Sequence, residues 1–137
     1  MSNIRENKED LQKVVQTVGN LLSKNIPFDW DAIVYGYFLF GEDQAHCQHI
    51  WALNPETEDY VDLMKELWED DDFLDATEEI ADCVSEFHEK CAEALDDWSE
   101  MTFVIRESGK FSLDFKYDKL DSFTYAYLMD WQSRFFE

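Results

Sequence analysis

The residues of this chain that are most able to take part in chemistry are the carboxylates, and they are concentrated in one segment. Residues 68–75 read WEDDDFLD and hold five acids, four of them consecutive. Residues 56–100 carry 19 acids and two bases, which accounts for −17 of the net charge of −21. A net charge of about 2–8 in magnitude suffices to keep a small domain soluble. The excess negative charge therefore predicts a role for these acids beyond solubility.

A helix predicted over about 73–98 would place many of these acids on one face. Steps of three and four residues keep side chains on the same side of a helix, here opposite an apolar stripe. The acids with this spacing are Asp75, Glu79, Asp82, Glu86, Glu89, Glu93, Asp96 and Glu100. At 1.5 Å per residue they would form a row about 37 Å long. Two interpretations stay open: a solvated acidic face, or a surface for a cationic partner that imitates the charge of a nucleic-acid backbone.

The spacing of the possible metal ligands does not favour a metal site. An EF-hand calcium loop needs glycine at its sixth position, and counting from Asp70 that position holds Asp75. The candidate zinc ligands are His46, Cys47, His49, His88 and Cys91. Their spacing matches no standard zinc motif, so we expect buried thiols and half-buried histidines instead.

Enzyme motifs are also missing from the sequence. It contains no phosphate-binding glycine loop, no nucleophile elbow and no His-Glu metal motif. We therefore expect a protein that is not an enzyme and that needs no cofactor or metal. A metal-dependent enzyme, or cysteine–histidine catalysis, stays open as a minor alternative.

Composition restricts the partners and the compartment. At 45% apolar and 16% aromatic residues the chain should fold around a real core. Its charge opposes binding to nucleic acid or anionic membrane and favours a basic protein. The polar N-terminus lacks the apolar stretch of a signal peptide, and the three cysteines fit reduced thiols, so we expect a cytoplasmic protein.

The hydrophobic pattern predicts one α+β domain over residues 1–137, an antiparallel sheet of two hairpins packed by helices. The predicted order is α-β-β-α-α-β-β-α. The predicted elements are a helix over about 8–24, strands over 32–40 and 45–53, a helical region that Asn54 begins, the helix over about 73–98, a hairpin over 101–117 and a last helix over about 122–136.

The hairpin gives the sharpest local prediction. A three-residue turn, Glu107-Ser108-Gly109, with Gly109 left-handed, sets the register. The inward pairs would then be Ile105 with Phe111, Phe103 with Leu113 and Met101 with Phe115. A slip by one residue would place charged side chains opposite apolar ones, so the register should be well specified.

The same hairpin resembles the C-terminal part of the YezG-like antitoxin, or immunity protein, family. The similar features are Trp98, Thr102-Phe103-Val104-Ile105, Ser108-Gly109-Lys110-Phe111, Asp114-Phe115, Tyr117-Asp118 and the earlier step Ile26-Pro27-Phe28-Asp29-Trp30. Members of that family neutralise nuclease domains at the C-termini of secreted bacterial toxins. The resemblance thus implies a cytoplasmic immunity protein whose partner is a cognate, basic toxin domain.

Together, the charge and the resemblance predict a binding surface in the acidic segment. The expected toxin-binding residues are Trp68, Glu69, Asp70, Asp71, Asp72, Phe73, Asp75, Glu79, Asp82, Glu86 and Glu89. Trp68 and Phe73 are the candidate anchors among them, although each also suits a core. The alternative function is an acidic nucleic-acid mimic that regulates a basic host protein.

Overall fold

The computed structural model describes residues 8–41, 45–117, 119–120 and 122–136. The elements are α1 (Lys8–Asn25), β1 (Ala32–Phe40), β2 (Ala45–Leu53), β3 (Tyr60–Asp62), α2 (Leu63–Glu66), α3 (Asp71–Glu93), β4 (Glu100–Arg106), β5 (Phe111–Lys116) and α4 (Tyr125–Phe135). The α+β class and the predicted element order are confirmed. The chain divides into two compact units, residues 1–29 with 64–98, and residues 30–63 with 99–137.

The second unit contains an antiparallel sheet with the order β3-β2-β1-β4-β5. The strands β1 and β2 have the predicted bounds, and Ala32 pairs with Leu53 across them. Central strand β1 is buried along nearly its whole length, which explains its run of β-branched and aromatic residues.

The β4–β5 hairpin has the predicted register, with Met101 opposite Phe115, Phe103 opposite Leu113 and Ile105 opposite Phe111. Its turn is closed by the Gly109 N–H, which donates to the Arg106 carbonyl at 2.9 Å. Gly109 has a φ of 91°, a region that glycine adopts at little cost. Asp118, which ends the motif quoted above, lies outside the described residues.

Helix α4 packs against one face of this sheet through Trp131. The Trp131 ring meets Phe38 edge-on at 5.3 Å between ring centroids, and both side chains are fully buried. Gly36 makes this contact possible, because a Cβ there would lie 2.7 Å from ring atoms of both Phe38 and Trp131.

The first unit pairs helices α1 and α3. Buried side chains on α1 are Val14, Val18 and Leu22, at the predicted helical spacing. The Lys90 ammonium on α3 also contacts an Asp10 carboxylate oxygen on α1 at 3.1 Å.

The prediction that Asn54 begins a helical region is wrong. Its side-chain oxygen accepts from the Glu56 N–H at 2.8 Å and closes a tight turn instead. The chain then forms β3, where Tyr60 pairs with Leu53 of β2, and α2 is only four residues long. Asn-Pro is an equally good signal for a turn, and tertiary pairing with β2 decided between the two.

The predicted end of the third helix is also wrong, since α3 ends at Glu93. Leu95 adopts a φ of 65°, and the Asp96 N–H turns back to the Cys91 carbonyl at 2.8 Å. This is a Schellman closure with leucine in the position that glycine usually occupies. Leu95 is 91% exposed at this turn, whereas Trp98 is buried beyond the helix.

Candidate functional site

The exposed face of α3 is almost wholly acidic. The helix carries nine acids, all of them exposed: Asp71, Asp72, Asp75, Glu78, Glu79, Asp82, Glu86, Glu89 and Glu93. The opposite face is buried and includes Phe73, Ile80, Val84 and Phe87. From Asp75 to Glu93 the row is about 27 Å long at 1.5 Å per residue.

Two members of the predicted row do not belong to it. Asp96 is buried just past the end of α3, and Glu100 is fully buried in β4. The periodicity argument failed there because the helix had already ended. The row is therefore shorter than the sequence predicted.

The run of four acids leads into α3, which begins at Asp71, two residues before the predicted start at about residue 73. The Phe73 N–H donates to a carboxylate oxygen of Asp70 at 3.0 Å, which makes Asp70 the N-cap. Asp71 and Asp72 occupy the first turn, where the positive end of the helix dipole favours negative charge. Part of the run therefore stabilises the helix, while Glu69, Asp71 and Asp72 remain exposed.

The two candidate anchors have opposite environments. The Trp68 side chain is 65% exposed beside the acidic run, whereas Phe73 is 1% exposed in the core. Only Trp68 can contact a partner without unfolding α3. Phe73 is therefore a core residue and not a candidate contact residue.

Lys90 is the only base on α3, and its charge is already balanced. Its ammonium lies 3.1 Å from Asp10 and 3.9 Å from Glu86. The hydrogen bond to Asp10, helped by the charges of Asp10, Glu86 and Glu93, raises the pKa of Lys90. Lys13 of α1 lines the same small cleft as Glu86 and Lys90, so two cations offset part of the negative charge at this point of the row.

Cys47 and Cys83 are poorly suited to nucleophilic chemistry at neutral pH. Burial raises the pKa of Cys47 to about 11 and also raises the pKa of Cys83. Both are therefore thiols at neutral pH, and the thiolate is the reactive form. Burial lowers the pKa of His49, against the charge of Asp62. Among the described residues, no three His, Cys, Asp or Glu side chains lie close enough to hold a metal ion.

Sequence reasoning missed a buried ion pair in the sheet unit. Arg134 of α4 donates to both carboxylate oxygens of Glu100, at 3.2 Å each, and the Tyr127 hydroxyl donates to the same carboxylate. The Trp131 indole N–H donates to the Thr102 hydroxyl at 2.9 Å, next to this pair. The available signal was that Glu100 shares a strand face with Thr102, while Tyr127 and Arg134 are two helical turns apart.

No helix in the described part of the chain is long and apolar enough to cross a membrane. The features that stand out are instead an α+β fold and one exposed, nearly unbroken acidic helix face. Together they define a class of small acidic α+β protein with one strongly acidic exposed helix face.

The sequence comparisons identify the family. Residues 11–135 match the family described as immunity protein YezG-like, and the chain belongs to this family. The protein is thus an immunity protein, or antitoxin, and the partner of such a protein is a toxin. No curated protein matches the sequence.

Proposed function

We propose that this protein neutralises a toxin with a nuclease domain by binding that domain through its acidic surface. The acidic surface comprises Trp68, Glu69, Asp70, Asp71, Asp72, Asp75, Glu79, Asp82, Glu86 and Glu89. The observation that supports this proposal is the one-sided row of exposed carboxylates on α3, where Lys90 is the single base and contacts Glu86.

The proposed mechanism follows from what a nuclease must bind. Its substrate is a polyanion, so its substrate-binding surface must be basic. The α3 row carries at least about one carboxylate per helical turn over a length of about 27 Å. Docked against the basic surface, it would exclude the substrate by charge and by volume. Such complementarity also raises association rates toward 10⁸–10⁹ M⁻¹s⁻¹ at low salt.

The proposal requires binding and no catalytic step. Inhibition would be stoichiometric, would need no cofactor, and would operate in the cytoplasm of the cell that makes the secreted or contact-delivered toxin. A stable interface buries roughly 1,600 Å² in total and usually has an aromatic anchor. Trp68 is the side chain beside the acidic run with the exposure to be that anchor.

Charge reversal on the row tests the surface. The variant D75K/E79K/D82K and the control E56K/E58K/D59K reverse three exposed acids each, so both change the net charge from −21 to −15. Affinity for the purified toxin domain should fall at least tenfold for the row variant and its salt dependence should flatten. The control should change little. Unchanged affinity and salt dependence in the row variant would exclude this surface.

A second candidate function rests on the same row: an acidic nucleic-acid mimic that regulates a basic host protein. A pull-down from the native cell, at low and then moderate salt, separates the two functions. Capture of one basic toxin domain supports immunity by this surface. Capture of abundant host nucleic-acid-binding proteins, without a toxin, supports the mimic.

A further inference from the structure

The sheet unit contains a cationic cleft that the acidic surface does not explain. The cleft has a volume of about 320 Å³, and its walls include Arg106, Lys110, Phe111, Ser112, Arg134 and Phe135. Three of the eleven basic residues of a chain with a net charge of −21 thus converge at one place. Two phenylalanines border the same space.

Among the described residues of the cleft, Lys110 supplies the positive charge that is available to a ligand. Arg134 is balanced by the buried Glu100 carboxylate and also contacts Asp130 at 3.2 Å. Lys110 is exposed and forms no ion pair with any described residue. Its carbonyl accepts from the Arg106 N–H at 2.7 Å, which holds these two cationic residues together at the hairpin end.

The cleft continues into an open edge of the sheet. β5 is the last strand in the sheet order, and no described strand pairs with its outer side. Because the Arg106–Lys110 pair is hydrogen-bonded, the alternation of an antiparallel ladder directs the N–H and C=O groups of Phe111 and Leu113 outward. Such an edge is a template for an added strand.

We propose that an extended acidic segment of the toxin adds to the outer edge of β5 and places a carboxylate in the cationic cleft. The added strand would hydrogen-bond to the outward groups of Phe111 and Leu113, and Lys110 would be the main charge partner of the carboxylate. Phe111 and Ser112 belong both to the edge and to the cleft, so one extended segment can reach both. The inference rests on the proposed function only in taking the toxin as the partner.

This arrangement would give the complex two contacts of opposite sign. The acidic surface would select a basic face of the toxin, and the cationic cleft would select an acidic segment. A basic protein without such a segment would satisfy only the first contact. The cleft would therefore contribute specificity that the α3 row alone lacks.

The first experiment measures toxin binding by K110E, with K119E as the control for charge, since Lys119 is exposed and outside the cleft. A lost charge-assisted contact should weaken binding about tenfold in K110E. The second pair is L113P, which removes an outward N–H, and L113A, which keeps it. L113P should bind about tenfold more weakly than L113A.

Hydrogen exchange on the wild-type complex covers the case in which L113P fails to fold. The Phe111 and Leu113 amides should exchange quickly in the free protein and become protected in the complex. Equal binding by K110E and K119E, or no protection of these amides, would overturn the proposal. Weaker binding by K110E without protection would mean carboxylate capture without an added strand, which also overturns it.

These outcomes are separable from the fate of the proposed function. If D75K/E79K/D82K loses binding and K110E does not, the acidic surface stands and the cleft proposal falls. If K110E and the β5 amides respond while the row variant binds normally, the cleft proposal stands and the acidic surface falls. A wild-type protein that does not bind the toxin domain would overturn both.

Discussion

Glu100 is a buried ion-pair partner and does not belong to the exposed acidic row. Its spacing placed it at the end of the acidic row, but it lies fully buried in β4 with Arg134, Tyr127 and Thr102 around it. Burial is the largest single effect on Arg134 and alone would lower its pKa. The hydrogen bonds and the charge of Glu100 together outweigh burial, so the pKa of Arg134 is raised. Arg134 therefore stays charged, and its hydrogen bonds to Glu100 tie α4 to the sheet.

Replacing Arg134 and replacing Glu100 should lower the free energy of unfolding by different amounts. R134M would leave the fully buried Glu100 carboxylate without a counter-charge and should cost about 3 kcal/mol of unfolding free energy. E100Q should cost less, because the Arg134 side chain is 24% exposed and retains Asp130. The double variant E100Q/R134M should recover part of the loss from R134M. Urea denaturation of the three variants checks this order, and a larger loss in E100Q would contradict it.

Cys47 should lose its proton at a higher pH than an ordinary thiol. Burial raises its folded pKa to about 11 from 9.0, so the folded state holds the proton more tightly than the unfolded state. The resulting stability is complete below pH 9.0 and is lost as pH rises toward about 11. Iodoacetamide labelling, resolved by peptide mass spectrometry, should show native Cys47 reacting slowly at pH 9. Labelling as fast as in the urea-unfolded chain would contradict the prediction.

At the scale of elements, the contact between α4 and β1 depends on a missing side chain. G36A should destabilise the protein by about 1–3 kcal/mol, since the new Cβ would lie 2.7 Å from the Phe38 and Trp131 rings. G19A is the matched control, because a Cβ there meets nothing within 4 Å and Gly19 lies inside α1. That variant should gain about 0.5–1 kcal/mol. Thermal melts of both variants with opposite shifts would support the packing; equal shifts would refute it.

The elements that sequence predicted correctly are those with a redundant pattern. β1 and the β4–β5 hairpin are specified at every position, because a slip by one residue would turn Phe103 and its partners to the wrong face. The failures lie where one local signal fits two structures. Asn54 can cap a turn as well as a helix. Leucine rarely adopts a positive φ, so the sequence does not predict the φ of 65° at Leu95 that ends α3.

The candidate surface was predictable in part for the same reason. The row from Asp75 to Glu89 follows from a helical period that α3 sustains, and all of its members are exposed. The exclusion of Phe73 and Glu100 was not predictable, because it depends on which neighbours cover them. The cationic cleft was equally hidden, since Arg106 and Arg134 are 28 positions apart in the sequence and converge only in the folded sheet unit.

At the scale of the whole molecule, a net charge of −21, of which −17 lies in one third of the chain, opposes folding by self-repulsion. A sequence selected for stability alone would disperse these acids or intersperse lysines. The acidic row should therefore contribute to binding at the expense of stability, and one variant can show both effects.

D75K/E79K/D82K should be more stable than the wild type at low salt while binding the toxin more weakly. The lysines that replace Asp75 and Asp82 would lie three or four residues from Asp71, Asp72, Glu78 and Glu86. The lysine that replaces Glu79 has this spacing only to the other two lysines, so those two pairs stay like-charged. The other like-charged pairs at this spacing become opposite-charged pairs, each worth about 0.2–0.5 kcal/mol in an isolated helix. The gain should be on the order of 1–2 kcal/mol, a rise in Tm of about 5 °C.

Thermal melts at about 20 mM and 500 mM salt check this, because screening shortens the Debye length to a few Å and should erase most of the gain. The control E56K/E58K/D59K has the same net charge but leaves the α3 row intact, so it should show a smaller gain in Tm and near-normal toxin binding. An equal gain in both variants would mean that total charge, and not its arrangement on α3, limits stability. A row variant that is less stable than the wild type at low salt would show that these carboxylates stabilise the fold, and the trade between folding and binding would be refuted.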